Sequence, residues 1–188
     1  MTNRAFGGHR QQGMILIIAL IFLLVMTVIG VTAMQTTSLD ERMASNLRDR
    51  NLAFQAAEAA LRDAERDVSN QVAGYARGIS GFTNFTANCG ASTTGSDADD
   101  GLCKDTTAYT TPIWTTTSMT AAPSVQYGRF THAASISGVS AQPRYIIEGI
   151  EQTVTGCSDN RYYRITVRAQ GASANTVVWL QSTYGCKP

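Results

Sequence analysis

The stretch GMILIIALIFLLVMTVIGVTAM, residues 13–34, decides the fold of this chain. From Met14 to Met34 it contains no charged residue. About 20 apolar residues, rising about 1.5 Å each in a helix, span the hydrocarbon core of a bilayer. The stretch therefore predicts a helix over residues 14–34 that crosses a membrane once.

The residues on either side of the apolar stretch predict its orientation. Arg4, His9 and Arg10 precede it, and the acidic and basic residues 40–42 follow it. The excess of positive charge on the N-terminal side predicts a cytoplasmic N-terminus and a translocated C-terminal part. A secretory signal peptide has an apolar core of about 7–15 residues, followed by a small-residue cleavage site. It fits less well, because the apolar run here is longer and no Ala-x-Ala site follows it. Residues 1–13 are instead interpreted as a short leader.

The apolar stretch continues without a glycine or proline break into a second helical segment, residues 35–69. Spacings of mostly three and four residues predict one apolar face on this segment. That face consists of Met43, Leu47, Phe54, Ala57, Leu61, Ala64 and Val68. Charged residues, among them Asp63 and Asp67, are expected to cover the other faces. The apolar face is predicted to pack on a globular head, residues 70–188.

The head divides into an irregular part and an ordered part. Residues 70–143 are rich in Gly, Ser, Thr and Asn, which predicts loops with short strands or turns. Three later segments are predicted to be strands: Arg144–Val154, Tyr162–Ala169 and Thr176–Thr183. The second alternates apolar and polar residues, which is typical of a half-buried strand. The predicted fold class is α+β: a long N-terminal helix packed on a C-terminal antiparallel sheet of at least three strands.

Four cysteines, Cys89, Cys103, Cys157 and Cys186, all follow the membrane segment. An even number in a translocated domain predicts two disulfides, for which three pairings exist. The sequential pairing, Cys89–Cys103 and Cys157–Cys186, is favoured because each bond closes a loop of modest length. No CxxC pair or Cys/His cluster is present, so no zinc site is predicted.

The remaining polar residues predict neither catalysis nor nucleic-acid binding. The formal net charge is +1, so Arg144, Arg164 and Arg168 are interpreted as a solvated strand face rather than a DNA groove. The acidic segment DADDG, residues 97–101, lacks the spacing of a calcium-binding loop and is interpreted as a solvated turn. His132 stands apart from any catalytic partner in the sequence. No cofactor, metal or enzymatic activity is therefore predicted.

Three aromatic residues in the irregular part, Tyr109, Trp114 and Phe130, allow two interpretations. They form either an exposed contact patch or a satellite core beneath a long loop. The satellite core is favoured, because it is the commoner arrangement.

The order of these segments resembles type IV pilins, and within them the PilX-type minor pilins. The segment MASNLRDRNLAFQAAEAALRDAE, residues 43–65, is similar to their N-terminal signature, and TVVWLQSTYG, residues 176–185, is similar to their C-terminal strand. The resemblance covers residues 10–68 and 144–184, and it leaves 70–143 uncovered.

The resemblance implies a structural protein that a prepilin peptidase cuts after Gly13 and methylates at the amine of Met14. It also implies a minor pilin that primes pilus assembly in a tip or initiation complex and supports twitching and surface attachment. The implied partners are other minor pilins, the major pilin, the inner-membrane assembly platform and a tip adhesin. The protein would start in the inner membrane and end in the fibre, at its tip.

One position departs from the pilin pattern. Pilins usually carry a glutamate at the fifth mature position, which here is Ile18. In the family this glutamate is thought to pair with the N-terminal amine of the subunit above. A carboxylate in lipid costs a few kcal/mol without a partner. Because a tip subunit has no subunit above it, Ile18 fits a tip position.

Two other functions remain open on the sequence alone. One is a pseudopilin at the tip of a type II secretion pseudopilus, which would share the stem and the processing. The other is a membrane-anchored periplasmic binding domain that is never processed.

Overall fold

The fold consists of one long helix followed by a sheet. The computed structural model describes residues 12–70, 77–79, 81–90, 98–104, 112–151 and 161–185. In chain order the elements are α1 (Gln12–Val68), β1 (Leu102–Lys104), α2 (Ile113–Thr116), β2 (Val125–Gln126), β3 (Arg144–Glu151), β4 (Arg161–Gln170) and β5 (Val177–Gly185). The chain divides after Asn46 into two compact units, so α1 contributes residues to both. The predicted α+β class is confirmed.

The sheet has five strands and is mixed rather than purely antiparallel. Strands β3, β4 and β5 are antiparallel neighbours. Strand β4 occupies one edge of β3, and β1 and β2 share the other edge. The predicted antiparallel C-terminal sheet is confirmed for β3, β4 and β5, and β1 adds a parallel pairing at the other edge of β3. The two extra strands come from the region that was predicted to be irregular, and two or three residues are too few to show an alternating pattern.

The three predicted strands exist with shifted ends. Strand β3 begins at Arg144 as predicted and is described as far as Glu151, and the rest of its predicted range, residues 152–154, lies outside the described residues. Strand β4 extends by one residue at each end, and β5 begins one residue late and ends at Gly185. Hairpin pairing sets the inner ends, because Gln170 pairs with Val177 and the Gly171 amide donates to the Thr176 carbonyl at 3.0 Å.

Small residues form the buried face of the second half of α1. The face consists of Ala53, Ala56, Ala57, Ala60, Asp63, Ala64, Asp67 and Val68. Met43, Leu47 and Phe54, which were predicted to be buried, are 63%, 60% and 46% exposed, so that prediction is wrong for these three residues. The alanines allow the helix backbone to lie close to the sheet, whereas larger side chains at these positions would hold the two layers apart.

Helix α1 ends at Val68, close to the predicted Ser69–Asn70 boundary. Asn70 adopts a positive φ of 52°, a left-handed conformation that ends many helices and that asparagine tolerates. Its side chain accepts a hydrogen bond from the Ile79 amide at 3.0 Å and donates one to the Ile79 carbonyl at 2.7 Å. The chain that leaves the helix is thereby fixed to residue 79.

Both faces of the sheet are covered near β3. On the inner face, Tyr145, Ile147 and Ile165 pack with the alanine face of α1 in the main core. On the opposite face, Ile146 packs in a second cluster with Cys89, Cys103, Ile113 and Met119. The region 70–143 therefore supplies a second layer over the centre of the sheet, where the alternating pattern predicted a solvated face. This second layer carries the loops described next.

Candidate functional site

The junction predicted for cleavage lies in the first turns of α1. Gly13 and Met14 are helical, and a Cβ built at Gly13 would meet nothing within 4 Å. Met14 is 60% exposed and Ile18 is 50% exposed. Among the described residues, α1 is the one helix long and apolar enough to cross a membrane by length and composition.

The whole apolar segment of α1 lacks protein packing in the single chain. All its large apolar side chains between Met14 and Met34 are exposed. The hydroxyls of Thr27 and Thr32 donate to helix carbonyls one turn earlier, at 2.8 Å and 2.9 Å, so these polar groups are satisfied without water. A helix that is apolar all round requires lipid or other helices around it.

A buried ion pair joins the end of α1 to the segment that follows. Arg77 donates from Nε to Asp67 Oδ1 at 3.0 Å and from Nη2 to Oδ2, and the two side chains are 2% and 1% exposed. Tyr145 of β3 donates its hydroxyl to Asp67 Oδ2 at 2.9 Å. Burial, reinforced by the charge of Asp67, raises the pKa of Tyr145 well above its usual value of 10.0, so its hydroxyl keeps the proton that it donates. The pair connects the helix to the sheet.

The same arginine holds the acidic turn. Arg77 donates from Nη1 to the carbonyl oxygens of Ala98 and Asp100, and its Cζ lies 3.9 Å from the centroid of the Phe130 ring. The backbone of residues 98–101 therefore has a structural role. Within the described residues no group of three or more His, Cys, Asp or Glu could hold a metal ion, and Asp97 lies outside them.

A second buried carboxylate on α1 organises a loop after β2. Asp63 accepts the Gly128 amide at 2.8 Å and the Thr131 hydroxyl. Burial raises the pKa of Asp63, and these two hydrogen bonds oppose the increase. The loop is thereby attached to the helix at a point 65 residues away in the sequence.

The disulfide between Cys89 and Cys103 confirms one predicted pair. Its sulfurs lie 2.11 Å apart and both residues are fully buried. Cys103 lies in β1, so the bond attaches the loop of residues 81–90 to the edge of the sheet. The predicted partners Cys157 and Cys186 lie outside the described residues.

The arginines that were predicted to form a solvated strand face make different contacts. Arg164 forms a two-fold hydrogen-bonded ion pair with Glu148, its neighbour across β3 and β4, at 2.9 Å and 2.7 Å. Arg144 is half-buried and donates to Ser124 instead. The prediction of one continuous solvated face is therefore wrong, because the second layer covers part of it.

The aromatic residues of the second layer belong mainly to cores. Trp114 packs against the second cluster and lies 5.8 Å from Trp179, centroid to centroid. Phe130 packs against the main core, while Tyr109 lies outside the described residues. The interpretation as satellite core is confirmed for Trp114 and Phe130. The second compact unit, residues 47–188, is called the head unit below. Among its described residues the exposed large apolar side chains are Leu47, Phe54, Val177 and Trp179.

Sequence reasoning missed the buried roles of Asp63, Asp67 and Arg77. A signal for the two aspartates was present, because they follow Ala56 and Ala60 at helical spacings of three and four. They therefore lie on the alanine face. Arg77 gives no such signal, because its pairing depends on how the chain turns after α1.

Two family models match this chain. Residues 12–62 match the family described as PilX N-terminal, and residues 99–185 match the family described as type IV pilus assembly protein PilX C-term. No curated protein matches the chain, and no solved structure does.

Proposed function

Because the chain belongs to the PilX family of type IV pilus minor pilins, we propose that it primes pilus assembly in an initiation complex at the fibre tip. The family is a structural component of the pilus and implies association with other pilins and the pilus machinery. An apolar helix at the N-terminal end fits a component that is anchored in the membrane. The proposal adds a position and a step to this general role.

The apolar segment supports a subunit that moves from lipid into a bundle of helices. Its large side chains are exposed from Met14 to Met34, so they need burial by lipid before assembly and by other stems after it. In this proposal a prepilin peptidase removes residues 1–13, whose cytoplasmic charges would otherwise hold the stem in the inner membrane. The cut after Gly13 frees Met14 for N-methylation.

The residue at position 18 supports a position at the tip of the fibre. Ile18 stands where pilins usually carry a glutamate, and it lies in the exposed apolar segment. A stem without this carboxylate lacks the group that would bind the amine of a subunit above it. A subunit whose apolar helix lacks this carboxylate can begin a fibre, but it forms no ion pair with a subunit above it.

The exposed apolar side chains of the head unit support contacts with neighbours. Leu47 and Phe54 lie on α1, and Val177 and Trp179 lie on the edge strand β5. Large apolar and aromatic residues are enriched in the centres of interfaces. The proposed partners are the other minor pilins, the major pilin, the assembly platform and a tip adhesin, with consequences for twitching and attachment.

The first test is the mass of the N-terminal peptide in cells with and without the prepilin peptidase. We expect a chain that starts at methylated Met14 only when the peptidase is present. A Gly13→Leu variant should keep residues 1–13, and Gly8→Leu, within the leader, should be processed normally. Retention of residues 1–13 in both strains would support an unprocessed anchored domain and contradict the proposal.

The second test locates the processed protein on fibres by immunogold labelling. Label confined to fibre ends is expected, and uniform label along the fibres would contradict the tip position. An Ile18→Glu variant restores the carboxylate and should spread label along the fibre. Ile17→Glu is the matched control, because it adds the same charge one residue away and should not be incorporated.

A further inference from the structure

A cavity of about 420 Å³ lies between the loop after β2 and the start of β3. Three of its lining residues carry or can carry positive charge: Arg129, His132 and Arg144. Gln126 and Ser135 add neutral polar groups, and Tyr127 adds an aromatic ring. Among the described residues the lining includes no aspartate or glutamate. On a protein with a net charge of +1, this is a local concentration of positive charge.

The guanidinium of Arg144 is half-buried, and the charge of Asp100 acts on it from beyond ion-pair distance. It donates from Nε to the Ser124 hydroxyl at 2.8 Å and from Nη2 to the Ser124 carbonyl. Within the described residues neither Arg144 nor Arg129 forms an ion pair. A guanidinium that leaves water is normally compensated by a carboxylate or another anion. Partial burial lowers the pKa of Arg144, and the charge of Asp100 opposes this decrease.

The loop that presents Arg129 and His132 is fixed before any ligand arrives. The Gly128 amide donates to Asp63 of α1 at 2.8 Å, and the His132 amide donates to the Gly128 carbonyl at 2.9 Å. Gly128 has a φ of 75°, and a Cβ at that position would collide with the Ala133 carbonyl. A preformed cavity loses less conformational entropy on binding than a mobile one.

We propose that this cavity binds a saccharide that carries a carboxylate, of the uronic acid class. The arginines suit the carboxylate, because a guanidinium can donate two parallel hydrogen bonds to it. The amide and hydroxyl groups suit ring hydroxyls, and Tyr127 offers an aromatic ring to the apolar face of a sugar. The volume lies within the range of about 300–1,000 Å³ typical of small-ligand sites, which exceeds the needs of a lone inorganic anion.

The test is a titration of the full-length protein in a neutral detergent with D-galacturonate, followed by calorimetry. Saturable binding is expected, with D-galactose binding much more weakly because it lacks the carboxylate. Arg129→Gln and Arg144→Gln should each weaken galacturonate binding about tenfold or more, since each removes charged hydrogen bonds to the carboxylate. Arg62→Gln is the control, because Arg62 is exposed on α1 outside the cavity lining, and it should bind like the unmodified protein.

Arg144→Gln also removes the contact with Ser124, so it could weaken binding by disturbing the fold. Arg129→Gln separates the two effects, because it changes an exposed side chain and should leave the melting temperature unchanged. Absence of binding at galacturonate concentrations up to about 10 mM would overturn the proposal, because the dissociation constants of specific ligands lie well below that concentration. Equal binding of inorganic phosphate would overturn the saccharide class. Binding that neither arginine variant weakens would overturn the location.

Discussion

The two halves of α1 differ in what the single chain buries. The first half, from Met14 to Met34, contains large apolar side chains, and the single chain leaves all of them exposed. The second half buries alanines together with Asp63 and Asp67, and leaves Leu47 and Phe54 exposed. The difference shows that along α1 burial follows close packing and the presence of specific partners rather than side-chain hydrophobicity. The most hydrophobic surface is left for lipid and other pilins.

Physical costs explain the arrangement in the second half. Alanine loses no side-chain entropy on burial and lets the helix approach the sheet. A buried aspartate is expensive unless hydrogen bonds or an opposite charge compensate it. Asp67 bonds with Arg77 and Tyr145, whereas the described residues that hydrogen-bond to Asp63 are neutral donors. The two aspartates are therefore expected to contribute differently to the free energy of unfolding. Four predictions test how the second half of α1, unlike the first, is packed within the subunit.

The largest effect is expected from breaking the buried ion pair. Arg77→Ala leaves Asp67 buried without its counter-charge and releases the turn of residues 98–101. Removing one partner of a buried pair typically costs about 3–5 kcal/mol in the free energy of unfolding. Urea unfolding of the full-length protein in detergent, monitored by tryptophan fluorescence, measures the change.

The control for this prediction is Arg66→Ala, because Arg66 is an exposed arginine next to Asp67 in sequence. Its free energy of unfolding should stay within about 0.5 kcal/mol of the original. A loss below about 1 kcal/mol for Arg77→Ala would mean that water compensates Asp67, and the ion pair would not be what fixes the end of α1.

The next effect tests whether close packing requires small residues. Ala60→Leu places a large apolar side chain on the fully buried face of α1. Overpacking typically costs about 1–3 kcal/mol, because neighbouring side chains leave their preferred rotamers or the backbone shifts. Gln55→Leu adds the same side chain at an exposed position of the helix and should change the free energy of unfolding little. If Ala60→Leu proved stabilising, the alanine face would contain unused space.

The sequence predicts the halves of α1 unequally well. The first half is predictable because an uninterrupted apolar run has one interpretation at this length. The second half was assigned a face through its largest apolar residues, Met43, Leu47 and Phe54, and that weighting is wrong when the partner surface demands small side chains. The aspartates on the alanine face were an overlooked signal, since their charge was taken as evidence of exposure.

The head shows the same limit. Strand β4 follows from local alternation of apolar and polar residues, and the Cys89–Cys103 pair follows from its short loop. Strands β1 and β2 exist only because β3 lies beside them, and pairing between distant segments leaves no mark in two or three residues. Likewise, the cavity with Arg129 and Arg144 joins positions whose proximity depends on Asp63 of α1.

A smaller effect is expected at Asp63, because its hydrogen-bond partners among the described residues, Gly128 and Thr131, are neutral. Asp63→Asn keeps an acceptor for the Gly128 amide and removes a desolvated charge, so at pH 7 the free energy of unfolding should change by about 1 kcal/mol or less. The pKa of Asp63 is raised in the folded state. The folded protein therefore binds more protons than the unfolded chain between pH 3.8 and that raised pKa, and its stability falls as pH rises through this window.

Urea unfolding of both proteins at several pH values measures this effect. Relative to Asp63→Asn, the unmodified protein should gain stability as pH falls from 7 toward 4. A difference that stays constant with pH would show that the hydrogen bonds to Asp63 offset its burial. A loss comparable with that of Arg77→Ala would remove the distinction between the two aspartates.

The smallest effect on stability is expected from a large apolar residue that the subunit leaves exposed. Phe54→Ala should change the free energy of unfolding by less than about 0.5 kcal/mol, because the ring is already 46% exposed and lies outside the alanine face. If this ring contacts a neighbouring pilin, the same change should reduce the number of pili per cell, counted by electron microscopy. Gln55→Ala alters the adjacent exposed position and should leave both quantities unchanged.

A Phe54→Ala protein that is clearly destabilised would show that the exposed flank of α1 around Phe54 belongs to the subunit's own core. Normal stability with a normal number of pili would show that this flank serves neither the subunit nor the fibre, and the contrast between the halves would then hold only for the apolar stem.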